Sequence, residues 1–484
     1  MATKKDLVEA YSYSRRRLVT AFVSGAPGGR EVEPARPGRA VVGGIALAVL
    51  LCAGAAILGV FKSPSDISWG EPALLTDGNG ALYVNLGTDQ TPKGEESLHQ
   101  VINVTSARLI LGAQTIQKVN AEKLAERKKG GPIGILNAPA TVPDTDQLIN
   151  SGWTACTLSG HGIRVAVAPG SHARSADGSA FLVKDSDGTH VVAETQHGDG
   201  PAAFSYDLPP RYSGQLVTGL HLSPTPVGVS PRWTALLPPG APLDASGLGL
   251  SGYGRPAPSL ARYWGGTTPR IGDYFVPSGG QTIVVTAGGF VQASPFAAAV
   301  LAGTPFPGGS AQPRRLATPS GWSLVKSGQQ VGSPSWPTSL PKQEPVDEVC
   351  AVLHDNGDGT TSMRMATSPD GTARAVGTAA GSVAANVDPG HGAVVRSAAK
   401  DPGVDPSRTG ATPDTTGTSY LVDDRAFAYR IASSGDLDRL GYSGVAPVVV
   451  PPEWIGLFQQ GVELSRDAAL CPPTPTMKGQ GKCS

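Results

Sequence analysis

Charge is scarce in this chain, and it cancels: 39 Lys plus Arg stand against 39 Asp plus Glu, and charged residues make up only 16% of 484. A chain with no net positive charge lacks the electrostatic footprint of non-specific nucleic-acid binding. Cysteine is scarce as well, with five in all and no Cys-x-x-Cys pair, and the eight histidines are scattered, which excludes the usual zinc-ligand patterns. No Gly-x-x-x-x-Gly-Lys-Ser/Thr loop is present. The stretch Lys478-Gly-Gln-Gly-Lys482-Cys lacks that spacing and follows no strand, so the common phosphate cradle is missing.

Other chemistry fails on spacing. Gly441-Tyr-Ser443-Gly444 lacks the final glycine of a nucleophile elbow and reads as a turn. Ser159-Gly-His161 and Ser171-His172 place serine beside histidine, but such near neighbours do not point at each other as nucleophile and base. In His354-Asp355-Asn-Gly-Asp358-Gly the third position of a calcium loop is Gly357 and no distal glutamate follows. A hairpin turn between Cys350-Ala-Val-Leu353 and Ser362-Met-Arg-Met365 fits better. Glu95, Glu96, Asp144 and Asp146 are loop carboxylates with no partner for acid–base work. No catalytic, cofactor-binding or metal residue is assigned.

What the chain does have is glycine and proline, 63 and 43 of them, which suits a β-rich, turn-rich fold. It also has a long uncharged run, Ala40 to Phe61, flanked by Arg39 and Lys62. That length crosses a ~30 Å hydrocarbon core as a helix. Lys4, Lys5, Arg15, Arg16, Arg17, Arg30 and Arg36 precede it, whereas Ser63 to Gly80 holds no Lys or Arg. The positive-inside rule then predicts a plasma-membrane protein with a single pass, a cytoplasmic N-terminus and residues 62–484 outside. A cleaved signal peptide would have a shorter apolar region and a small-residue cleavage site, and here Lys62-Ser63-Pro64 follows instead. Arg15, Arg16 and Arg17 superficially match a twin-arginine signal, but the apolar run starts too far downstream. They fit better on a short amphipathic cytoplasmic helix with Leu7, Val8, Tyr11, Leu18 and Phe22 as its apolar side. Arg15, Arg16, Arg17, Arg39 and Lys62 are the expected membrane-interface residues. Cys52 falls within the span.

Four cysteines remain outside, and an even number in an oxidising compartment points to disulfides with three possible pairings. Cys156 and Cys350 each sit in apolar strand-like segments, and Cys471 and Cys483 share the C-terminal tail. The expected bonds are Cys156–Cys350 and Cys471–Cys483. The first closes about two hundred residues, a constraint of roughly 5 kcal/mol on the unfolded chain.

The external part repeats itself. Pro226, Val227, Val229, Pro231, Trp233, Leu236, Gly240 and Leu243 recur without a gap as Pro447, Val448, Val450, Pro452, Trp454, Leu457, Gly461 and Leu464. The pattern predicts a short strand, Ser230 as helix cap, Pro231 at the first helical position, and Trp233, Leu236 and Leu237 on one helical face. Gly240 would end the helix. Ala180-Phe-Leu-Val183 and Ser419-Tyr-Leu-Val422 open the two copies upstream. Two diverged copies begin at Ala81-Leu-Tyr-Val84, leading to a helix around Asn120–Arg127, and at Asp273-Tyr-Phe-Val276. Segments 138–172 and 306–410 lie between copies and are expected to form a common core sheet.

These residues bring a family into view. Tyr11-Ser-Tyr-Ser-Arg-Arg-Arg17, Leu98-His-Gln-Val-Ile-Asn103-Val-Thr-Ser106-Ala-Arg108-Leu-Ile and Gly131-Pro-Ile-Gly134-Ile resemble the EccB component of actinobacterial type VII (ESX) secretion systems. So do Trp153-Thr-Ala-Cys156, Leu440-Gly-Tyr442 and Val448-Val-Val-Pro451. The block from Leu98 to Ile110 is the most specific. The resemblance implies an α+β, β-rich protein: a short cytoplasmic amphipathic helix, one transmembrane helix, and an elongated extracytoplasmic region. That region would have a central β domain, four small repeat domains and one disulfide across the core. It also implies a structural subunit whose external domain serves assembly, docking and substrate passage. Expected partners are an EccC-like ATPase, EccD- and EccE-like membrane subunits, a mycosin protease and other copies of the chain, with WXG100-type proteins as cargo. The alternative reading is an ATPase or a cell-wall-acting enzyme of the same secretion system; family members are sometimes described as ATPases, but the missing phosphate loop and the missing catalytic cluster do not support an enzyme. The Cys471–Cys483 pair departs from the family pattern.

The resulting division is 1–39 basic arm, 40–61 span, 62–137 first unit, 138–173 core, 174–248 second unit and 249–305 third unit. Residues 306–416 return to the core, 417–470 form the fourth unit and 471–484 the tail.

Overall fold

The computed structural model describes residues 4–24, 67–87, 97–158, 162–170, 173–197, 200–309, 311–325, 328–342, 346, 348–368, 381–398 and 417–474. The apolar run 40–61 with Cys52, together with Arg39, Lys62, Glu95, Glu96, Ser159–His161, Ser171, His172, 478–482 and Cys483, lies outside the described residues. The chain divides into two compact units, one ending at Asp66 and one starting at Ile67. In the first, the helix Lys4–Ser24 carries Arg15, Arg16 and Arg17. Leu7, Tyr11, Leu18 and Phe22 are spaced to share one stripe of it, and all are exposed. Among the described residues no helix is long and apolar enough to cross a membrane.

The second unit is a mixed α+β, β-rich assembly of five sheets. In chain order, the first sheet holds β1 (Ala73–Thr76), β2 (Leu82–Asn85), β3 (Leu98–Val101) and β4 (Gln117–Lys118). The central sheet takes β5 (Trp153–Leu158), β6 (Gly162–Val167) and β7 (Arg174–Ser175). The second has β8 (Ala180–Lys184), β9 (Thr189–His197), β10 (Gly200–Asp207) and β11 (Val227–Gly228). The third has β12 (Tyr274–Phe275), β13 (Ile283–Thr286), β14 (Gly289–Ala293) and β15 (Gln330–Val331). The chain then returns to the central sheet with β16 (Val349–Asp355), β17 (Thr361–Thr367) and β18 (Val383–Val387). The fourth sheet closes with β19 (Ala393–Ser397), β20 (Thr418–Val422), β21 (Phe427–Ile431), β22 (Val448–Val450) and β23 (Gln459–Gln460). The central order is β18-β6-β5-β16-β17-β7, so strands from two stretches far apart in the chain lie in one sheet.

The four outer sheets share a wiring plan. Three antiparallel strands meander, and a helical segment follows: Val104–Leu111, Ser213–Gly219, Pro295–Gly303 or Ser434–Leu437. The chain then returns parallel to the first strand, with β4 beside β1, β11 beside β8, Arg315 beside Tyr274, and β22 beside β19. Last, it runs along the third strand, at Ile133, Pro239, β15 and β23.

The alternation of strand side chains ties these sheets in a row. In β8, Phe181 and Val183 enter the central core, while Ala180 and Leu182 enter a core shared with the third sheet. In β19, Ala393 and Val395 face the central core, and Val394 joins a core shared with the first sheet. The second and fourth sheets are therefore buried on both faces. The first and third bury one face on a neighbour and the other on a small core of their own, around Leu75 and around Phe275. The packing order is third, second, central, fourth, first.

Three details differ from the sequence reading. The third sheet extends past residue 305, because Arg315 and β15 pair within it. The fourth begins at Ala393 rather than 417, so Ser419–Val422 is its middle strand, whereas Ala180–Val183 is the first strand of the second. The helix Val104–Leu111 was not anticipated. Asn103, whose side chain accepts from the Ser106 N–H, starts it, and the expected helix at 120 is the short Ala121–Ala125.

Candidate functional site

The repeated motif converges on the central sheet. In the second unit, β11 delivers Ser230, whose hydroxyl accepts from the Arg232 N–H at 3.3 Å and caps the turn Pro231–Thr234. That turn swings Trp233 inward. Its side chain is fully buried, and its indole N–H donates to the Ala155 carbonyl of β5 at 2.8 Å. In the fourth unit, Pro452–Ile455 has no side-chain cap. It buries Trp454 on the same sheet, with the indole N–H on the Met363 sulfur of β17 at 3.1 Å. Trp153 of β5 meets the second of these anchors, 6.4 Å from Trp454 and 5.4 Å from Phe458, edge to face. Arg232 donates across the junction to the Gly456 carbonyl, joining the two repeated turns.

The helical turns end at Thr234 and Ile455, so Gly240 and Gly461 do not terminate them. Their role is close approach. A Cβ on Gly240 would lie 2.1 Å from the Tyr206 ring, and one on Gly461 would lie 2.3 Å from the Tyr429 ring. Each glycine passes over a tyrosine of its own third strand. Burial pushes both tyrosine hydroxyls up from their ordinary range.

The opposite face of β5 and β16 carries the disulfide. Cys156 and Cys350 are direct cross-strand neighbours with Cα atoms 4.0 Å apart, and the bond joins residues separated by 194 positions. It lies in a small cluster with Ala366. Cys471 is disulfide-bonded too, and its carbonyl accepts from the Gly134 N–H of the first unit.

Among the described residues, charged groups either tie one sheet to another or serve their own turns. Glu194 of β9 is buried, and its carboxylate accepts from the Met365 N–H of β17. Burial raises its pKa, an effect offset in part by that N–H and by the charge of Arg364. Burial also acts to raise the pKa of Asp185. The hydroxyl of Thr234, the N–H groups of Asp187 and Gly188, and His190 outweigh it, and the net shift is downward. His354 and Asp355 end β16, and residues 356–360 form the β16–β17 hairpin turn. Asp355 accepts from Gly357 and Asp358 from Thr360, so both carboxylates serve their own turn. Asp144 lies 3.7 Å from Arg108. Gly441 and Gly444 both adopt positive φ, and Tyr442 between them donates to the Pro143 carbonyl, a packed turn rather than an elbow. Among the described residues no group of three or more His, Cys, Asp and Glu could hold a metal ion.

This architecture has known counterparts. A family model described as "Type VII secretion system ESX-1, transport TM domain B" matches residues 1–473. The chain is 28% identical over 478 residues to the ESX-3 secretion system ATPase EccB3 of Mycolicibacterium smegmatis (strain ATCC 700084 / mc(2)155), covering 91% of this chain and 85% of that protein. It is 38% identical over 119 residues to the ESX-1 secretion system ATPase EccB1 of Mycolicibacterium smegmatis (strain MKD8), a stretch spanning 24% of this chain and only 23% of that relative. Among solved structures, a chain of an intact ESX-5 inner membrane complex superposes with a TM-score of 0.55 at 20% identity, covering 100% of this chain and 98% of that one. A chain of an EccB3 dimer from the ESX-3 core complex gives 0.53 at 21% identity, covering 82% and 99%.

Proposed function

The chain belongs to the type VII secretion EccB family, and on that premise we propose that it is a structural subunit of the secretion machine, anchored in the plasma membrane. The observation that carries this reading is the use made of the repeated motif. Both copies spend their tryptophan, their proline-led turn and their glycine on fastening an outer sheet to the central one. A motif that served catalysis would present groups to a cleft. This one buries them.

In this reading Ala40–Phe61 is the span, Arg15, Arg16, Arg17, Arg39 and Lys62 sit at the headgroups, and residues 62–484 lie outside the cell membrane. The four outer sheets are copies of one repeat, which their common wiring supports. The external region docks other subunits and further copies of itself, in keeping with the inner membrane complexes and the EccB dimer to which it is similar. The inner arm meets an EccC-like ATPase and EccD- and EccE-like subunits, the outer region meets a mycosin protease, and WXG100-type proteins are the cargo. Several relatives bear the name ATPase. The absence of a phosphate loop from this sequence favours the structural role.

The test is detergent extraction of the full chain with its native membrane, followed by affinity capture and a topology assay. Capture should bring down an EccC-like ATPase, and externally added protease should reach residues beyond 62 but not the basic arm. Recovery of a solitary monomer, or protease access to residues 4–24 in sealed cells, would overturn the proposal.

A further inference from the structure

Where three sheets meet, the structure leaves a cleft of about 480 Å³. Gly200, Pro201 and Ala202 of β10 form one wall, the β16–β17 hairpin a second, and Ala398, Val449 and Pro451 a third. That volume is within the ~300–1,000 Å³ range of small-molecule sites, and a junction between units is a common place for one.

The polar groups of the cleft are almost all spoken for. The Ser362 hydroxyl donates to the Asn356 side-chain Oδ1, the Asn356 side-chain Nδ2 donates to the Thr360 hydroxyl, and the Thr361 hydroxyl donates to the Val449 backbone carbonyl. Asp358 at the rim accepts from the Thr360 N–H and hydroxyl, which hold its pKa down. Arg364 is the exception. Its Nε and Nη1 are buried and have no hydrogen-bond acceptor. Among the described residues no carboxylate forms an ion pair with it. Glu194 is near enough for the two charges to interact, but its hydrogen bond goes to the Met365 N–H.

A permanently charged guanidinium with unsatisfied buried donors is costly to hold in a fold, and a bidentate oxyanion is the partner its planar fork matches. We propose that the cleft lined by Arg364 binds a compact oxyanion, a carboxylate or a phosphate group. Arg364 supplies the charge, and exposed His354 on the same hairpin also lines the cleft. Asp358 opposes entry of a second negative charge, so the site selects small anions of low charge. Its occupant would bridge the second, central and fourth sheets and so bear on the junction that the repeated turns build.

The test is calorimetric titration of the full chain in detergent at fixed ionic strength, with sodium phosphate in one arm and sodium acetate in the other. Saturable binding in either arm is expected, and the arm that responds identifies the ligand class. Arg364→Gln should weaken binding at least about tenfold. Arg364→Lys should retain part of it, and Asp358→Asn, which removes the charge but keeps a side-chain acceptor for the Thr360 N–H in the hairpin turn, should tighten it severalfold. Absence of saturable binding in both arms, or unchanged affinity in both Arg364→Gln and Asp358→Asn, would overturn the assignment.

Discussion

The second and fourth units carry the same motif and solve the same packing problem with different polar chemistry. Val229 and Val450, Trp233 and Trp454, Leu236 and Leu457, and Leu243 and Leu464 are buried alike. The polar ends diverge. The second unit caps its turn with Ser230, and the fourth begins its turn at Pro451-Pro452 with no cap. Trp233 finds a backbone carbonyl and Trp454 a thioether sulfur. The Tyr206 hydroxyl crosses to the Ser335 carbonyl, whereas the Tyr429 hydroxyl stays home with Asp423 and Arg425. Shape and burial are what the repeat preserves. Hydrogen bonds are met by whatever each neighbourhood offers, as expected when area sets the gain and polar groups need only be satisfied.

The largest break in this symmetry comes from removing the anchors. Trp233→Ala and Trp454→Ala should each cost about 3–5 kcal/mol in a denaturant melt of the intact protein. The two phenylalanine variants sharpen the comparison. Trp233→Phe gives up an N–H···O bond to a strand carbonyl, while Trp454→Phe gives up a contact to a weak sulfur acceptor, so the first should cost about 1 kcal/mol more. Equal losses would show that the bond to Ala155 contributes nothing beyond packing.

Next in size are the glycines. Gly240→Ala and Gly461→Ala each drive a methyl into a tyrosine ring and should cost about 1–3 kcal/mol through overpacking. Relief of the loss in the double variants Gly240→Ala/Tyr206→Leu and Gly461→Ala/Tyr429→Leu would confirm the contact by thermal melting. Two additive losses would exclude it.

Much of this was legible in the residues. The gapless match from Pro226 to Leu243 carried the turn, the cap and the buried face. Paired strand-like contexts carried Cys156–Cys350, and Asn-Gly-Asp-Gly carried the hairpin. Strand position was not legible. Ala-Phe-Leu-Val and Ser-Tyr-Leu-Val have the same apolar character, yet one is a first strand and the other a middle strand, because residues 398–417 separate β19 from β20. The glycine role was ambiguous for a related reason. A glycine after a helix suits a C-cap as well as a close approach, and only the fold places a tyrosine ring beneath it. The helix at 104 was signalled by Asn103, but a preceding strand-like run hid it. Arg364 alternates with Met363 and Met365, so sequence alone puts it on a solvent face. Its two orphaned nitrogens emerge only when three sheets close around it.

The smallest contrast concerns how each unit is tied to β17. The second unit supplies a carboxylate, Glu194 accepting from the Met365 N–H, and the fourth supplies the Val449 carbonyl, which accepts from the neutral Thr361 hydroxyl of β17 at 2.6 Å. Only the first tie titrates. Burial raises the Glu194 pKa above its ordinary value of 4.5, so the folded protein holds that proton more tightly than the unfolded chain. Stability from this group is then greatest below the ordinary value and declines as pH rises to the folded value, by no more than about 1.4 kcal/mol per unit. Glu194→Gln keeps an acceptor for Met365 but has no proton to lose. Its stability relative to wild type should therefore climb as pH rises through that window and level off above it. Thr361→Val should instead show a deficit that does not change with pH. A Glu194→Gln difference that is flat across the window would mean the carboxylate is as well solvated in the fold as out of it, and the two ties would be equivalent after all.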